Sequence, residues 1–137
     1  ISDAPIRTHE PVINPDAVIF LDETILHSKS KELWLENGKA LIINSKKTPE
    51  EWSKVIADSG NENFRGKIYV VDANGISAEI IGQPRPNTVV LGKLLQITEI
   101  VSLEKVLDEF RKIFEPKIGV EMTHKNIMAI EKAYSSF

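Results

Sequence analysis

Apolar positions fall in short continuous runs along the first half of the chain and in helical stripes along the second. The run 17–21, AVIFL, lies between Asp16 and Asp22 and predicts a strand buried on both faces. Ile25, Leu26, Leu33 and Trp34 then recur at helical spacing, and Asn37-Gly38 supplies a stop. Residues 40–43 form the next buried strand, ending at Asn44-Ser45. Thr48-Pro49-Glu50-Glu51 opens a helix with a hydroxyl cap, a proline at the first position and acids in the first turn. Trp52, Val55 and Ile56 give that helix its inner face, 59–66 is a polar loop, and 68–71 is a third strand. Strands alternating with helices predict parallel βαβ units joined by right-handed crossovers.

Past Asp72 the period changes. Residues 76–81 predict a short helix ending at Gly82, and 83–86 a rigid turn. Asn87 is expected to cap a helix over 88–97. Ser102 is expected to cap another, with Leu103, Val106, Leu107, Phe110 and Phe114 on one face and charged residues on the other. Val120, Ile127, Ile130 and Tyr134 mark a last helix. Pro5, Pro11 and Pro15 make 1–15 an extended connector. The expected class is α/β, a mostly parallel sheet with helices on both faces and a helical C-terminal part. It forms a single domain over 1–137.

Composition narrows the functions. The net charge is -3, without the basic face of a nucleic-acid binder. No apolar run approaches the roughly 18 residues of a membrane span. The chain has no cysteine, so it holds no iron–sulfur cluster by thiolates and uses no thiol nucleophile. That composition fits a reducing cytoplasm, the expected location.

Candidate chemistry is sparse. Asp22 and Asp72 end parallel strands on the carboxyl side, where open α/β sheets place ligands; each can equally cap the turn that follows. Asp72-Ala73-Asn74-Gly75 is either a phosphate-facing turn or a plain strand-to-helix turn, and neither glycine-rich phosphate fingerprint is present. His9, His27 and His124 are too scattered for metal-ligand spacing, so no metal site is expected. No serine sits in a nucleophile elbow, and no catalytic residue is assigned. The segment 87–97, NTVVLGKLLQI, is apolar most of the way round, so either the domain core or a partner subunit covers it. Gly92 inside it costs about 1 kcal/mol relative to alanine, which points to close backbone approach. Asn87, Thr88, Leu91, Gly92 and Leu95 are therefore the expected subunit-interface or close-packing residues.

Several stretches together carry a resemblance: ISDAPI, NPDAVIFLDETIL, LIINS, VVDANGISAEIIG, PNTVVLGKLLQITEIVSLE and HKNIMAIEKAY. The chain resembles the gamma subunit of the 2-oxoacid:ferredoxin oxidoreductases, closest to the pyruvate type. That resemblance implies a complex that decarboxylates a 2-oxoacid oxidatively with thiamine diphosphate and Mg, forms an acyl-CoA, and passes electrons through [4Fe–4S] clusters to ferredoxin. It implies partner subunits of alpha, beta and delta type that carry those cofactors, none being bound by this chain alone. The gamma portion would serve assembly and help shape the CoA region. The family's G-x-G-G-Q-G motif has no counterpart here, so the domain is expected to lack its N-terminal strand and glycine-rich motif. Two rival readings are a stand-alone receiver-like signalling domain with Asp22 as phosphoacceptor and a nucleotide-binding enzyme domain acting alone.

Overall fold

The computed structural model describes residues 2–12, 14–27 and 40–136 of the 137. Its centre is a parallel sheet of β1 (Ala17–Phe20), β2 (Ala40–Asn44) and β3 (Lys67–Val71), in the order β1-β2-β3. Ala17 pairs with Ala40 and Phe20 with Ile43 on one side of β2; Ile42 pairs with Tyr69 on the other. The central position of β2 explains its unbroken apolar sequence, since each of its residues is buried.

Alternation along the strands divides the core in two. Phe20, Leu41 and Ile43 face one side, where Trp52 and Ile56 of α1 (Pro49–Asp58) and Leu26 cover them. Ile42 and Val71 face the other side. There they meet α2 (Ala73–Ile81), α3 (Pro86–Thr98) and α5 (Val120–Ser135), through Ile81, Val89, Val90, Ala129 and Ala133. The crossover from β2 to β3 lays α1 on one face, so the other face is left for elements after β3. The α/β class with helices on both faces is thus the observed one. In α4 (Leu103–Ile118), Leu107 and Phe110 pack on Ile127 and Ile130 of α5. The φ of 83° and ψ of 163° at Gly119 turn α4 directly into α5, a conformation open essentially to glycine alone.

Several boundaries differ from the pattern-based expectations. β1 ends at Phe20 and is not buried on both faces: Ile19 is 39% exposed. Among the described residues it is an edge strand, and the helices beyond β3 do not reach its second face. The predicted helix after β1 begins as a 3₁₀ turn, Glu23–His27, and its remainder, including Leu33, Trp34 and the Asn37-Gly38 stop, lies outside the described residues. α2 starts three residues early because the Asp72 side chain accepts from Gly75 N and caps it there. α3 starts at Pro86, not Thr88, so Asn87 sits inside the first turn and is no cap. Proline's fixed φ suits that first position, and the Arg85 amide that precedes it donates to Ser77 Oγ at 2.9 Å. Ser102 occupies the cap position of α4 without a side-chain cap bond.

The start of α1 is a complete capping box. Thr48 N donates to Glu51 Oε2 at 2.7 Å, and Glu51 N donates to Thr48 Oγ1 at 3.3 Å. Thr48→Ala removes the second bond and is expected to lower stability by about 1 kcal/mol, read as a shift of the urea midpoint at constant slope.

Candidate functional site

The carboxyl ends of the three strands open into a cleft of about 460 Å³ lined by Asp22, Asn44, Lys46, Asp72 and their neighbours. Its organiser is Asn44, the last residue of the central strand, which is only 4% exposed. Asn44 Nδ2 donates to Leu21 O at 2.9 Å. Its Oδ1 accepts from Ala73 N at 3.0 Å and Asn74 N at 3.3 Å. The donor must face the carbonyl and the acceptor the two amides, so the partners fix the amide's orientation. One side chain thus joins the end of β1, the end of β2 and the first turn of α2. Pattern reading takes Asn44 only as the end of a strand; a polar residue directly after an apolar run was the available signal.

Both carboxylates expected here are committed to the backbone nearby. Asp22 Oδ1 accepts from Thr24 Oγ1 at 2.7 Å and Thr24 N at 2.9 Å. Those two bonds, the hydroxyl's first, hold its pKa below the usual carboxylate value. Asp72 Oδ1 accepts from Gly75 N at 2.8 Å. Asp22 and Asp72 are therefore caps, and a carboxylate bound in this way has little to recommend it as a phosphoacceptor. The Asp72-Ala73-Asn74-Gly75 turn is no phosphate cradle either, because the amides of Ala73, Asn74 and Gly75 already have side-chain acceptors. Lys46 lies 4.0 Å from Asp72 Oδ2, an exposed pair that contributes little to stability. At the rim Lys47 Nζ stands 3.4 Å from His27 Nε2, 3.9 Å from Glu23 Oε1 and 4.7 Å from the centre of the Trp52 ring. His9 and His124 are exposed and far from this group in sequence.

The second expected site is the seam between α3 and α5. A Cβ on Gly92 would collide with Ile130 O and would lie 3.0 Å from Ile130 C and 3.1 Å from Tyr134 N. The backbones of the two helices meet at that point. Leu95 is buried beside it, Thr88 and Leu91 are half-buried, and Asn87 is exposed. Lys93, which no pattern in its segment marks as interior, is 3% exposed. Its Nζ donates to Ser136 O at 2.6 Å, and Gln96 Nε2 donates to the same oxygen at 3.1 Å. Burial pushes the pKa of Lys93 below the usual lysine value. The seam binds helix to helix and tethers the end of the last one.

The chain supplies no thiolate for a cluster. Among the described residues no group of three or more His, Asp or Glu side chains could hold a metal ion. Among the described residues, too, no helix is long and apolar enough to cross a membrane.

Comparison with known proteins gives a consistent result. A family model described as pyruvate ferredoxin/flavodoxin oxidoreductase matches residues 1–136. The chain is 33% identical over 135 residues to the pyruvate/ketoisovalerate oxidoreductases common subunit gamma of Thermococcus kodakarensis, covering 98% of this chain and 68% of that protein. It is 37% identical over 134 residues to the pyruvate synthase subunit PorC of Thermotoga maritima, covering 98% and 66%. The crystal structure of pyruvate oxidoreductase subunit PORC from Thermotoga maritima superposes with a TM-score of 0.75 at 34% identity, over 91% of this chain and 65% of that one. The chain thus spans about two thirds of the length of these relatives.

Proposed function

Because this chain belongs to the pyruvate ferredoxin/flavodoxin oxidoreductase family, we propose that it acts as the gamma subunit of a pyruvate-type 2-oxoacid:ferredoxin oxidoreductase. The match of the family model over 1–136, with relatives that carry the gamma or PorC name, is the observation that supports this most. In this reading the complex oxidatively decarboxylates a 2-oxoacid, forms an acyl-CoA and reduces ferredoxin in the cytoplasm. Thiamine diphosphate with Mg, the [4Fe–4S] clusters and the CoA-handling groups sit chiefly on alpha-, beta- and delta-type subunits. This chain's own side chains suit that division: no cysteine is present, and the carboxylates at the strand ends are spent on backbone caps. It contributes assembly, and it helps to shape the CoA region. Within α3, Gly92 and Leu95 provide close packing, and Asn87, Thr88 and Leu91, which retain exposed surface, provide contact with a neighbouring subunit.

The test is anaerobic affinity purification of the tagged native protein from its source. A brown, multi-subunit preparation that reduces viologen with pyruvate only when CoA is added is the expected result. A colourless single chain without that activity, isolated under conditions that keep clusters intact, would overturn the reading.

A further inference from the structure

β3 pairs with β2 on one side only among the described residues. Its free edge is the floor of a groove of about 520 Å³ lined by Ile68, Tyr69 and Val70. Three consecutive strand residues can line one groove only along the strand's edge, because alternate side chains leave by opposite faces. Ile68 and Val70 accordingly join the α1 side of the core, and Tyr69 the α3 side. Lys93, Gln96 and Ile97 of α3 form one wall, and Thr48 and Pro49 at the start of α1 form the other.

Natural edge strands are blunted by proline, bulges or inward charges. β3, with the sequence KIYVV, has only Lys67 at its start, and the rest reads as an interior strand. The groove's lining includes Lys47 and no carboxylate, Lys93 being already held by Ser136 O, and Lys67 is exposed beside it. We infer that the free edge of β3 receives an extended segment of another subunit as a fourth strand, a segment with alternating apolar side chains and at least one carboxylate. Main-chain bonds to β3 would hold it, and its alternate side chains would face Ile97 and Tyr69 on one side and Pro49 and Ile68 on the other. The inference rests on the proposed subunit role.

The test compares amide hydrogen exchange over 68–71 in the native full-length protein expressed alone and in the purified complex. Exchange at least about tenfold slower in the complex, with the lone protein monomeric by sedimentation, is expected. Lys67→Glu, at an exposed position, is expected to weaken assembly about fivefold or more. Equal exchange in both samples overturns the inference while leaving the subunit role intact: if 68–71 are protected in both, the edge is covered from within the same polypeptide. Protection that accompanies dimerisation of the lone protein assigns the edge to a second copy and overturns it as well. Unchanged assembly of Lys67→Glu removes the acidic occupant. A tagged protein that captures no other subunit overturns the subunit role, and this docking falls with it.

Discussion

Gly92→Ala is expected to lower the stability of the fold by about 2 kcal/mol, although alanine is the better helix former by about 1 kcal/mol. The added methyl would meet Ile130 O, a backbone atom in the middle of α5, with Ile130 C and Tyr134 N close behind. No side chain can rotate away, so α3 and α5 must separate. Separation opens the cluster of Val89, Val90, Ala129 and Ala133 to which both helices contribute. Gly92→Leu is expected to cost about 4 kcal/mol, a large part of the roughly 5–15 kcal/mol that holds a domain of this size. Urea unfolding followed by circular dichroism reads both values. A Gly92→Ala protein as stable as its parent would mean that the two backbones are not in contact. Gly92 is covered from within the chain, so any loss of assembly in these variants should track their loss of stability. The outward Asn87, Thr88 and Leu91 should behave otherwise, weakening assembly at unchanged stability.

Removing the side chain of Asn44 should be felt at three elements together. Asn44→Ala leaves Leu21 O without its donor and the amides of Ala73 and Asn74 without their acceptor. Each buried polar group left unpaired costs about 1–3 kcal/mol, and the adjoining cleft lets water recover part of that, so a total of about 3 kcal/mol is expected. The loss should be visible as faster amide exchange at Ala73 and Asn74 and as fraying of the first turn of α2. Asp72 still caps that helix through Gly75, which keeps the variant folded and the measurement possible. Exchange at Ala73 and Asn74 that is unaltered in Asn44→Ala would dismiss Asn44 as the organiser of the strand ends.

These two residues were differently legible. Gly92 stands out in NTVVLGKLLQI because a glycine in an apolar helix needs a reason, and the reason follows from covalent geometry. Which backbone approaches it was not legible, since Ile130 lies far along the chain. Asn44 stands at the end of an apolar run like many strand-terminal residues, and its three partners come from segments 23 to 30 residues away. The early start of α3 was legible in principle, because Pro86 suits a first helical position better than it suits the middle of a turn. The exposed face of β1 was not. Its apolar sequence is that of a covered strand, and among the described residues the helices after β3 are placed so that Ile19 stays open.

The sequence by itself determined the local chemistry: the βαβ alternation, the capping box at Thr48, the amphipathic α4 and the absence of any thiolate. These depend on residues within a turn or two of one another, where side-chain period and backbone capping act directly. The tertiary structure alone decided which described strand lies central, which edges are open among the described residues, how Lys93 came to be buried against the end of α5, and which polar groups at the strand ends are already satisfied. Those outcomes depend on contacts between segments distant in the chain, and a hydrogen-bond partner or a covering helix supplied from far away leaves no periodic trace in the sequence it serves.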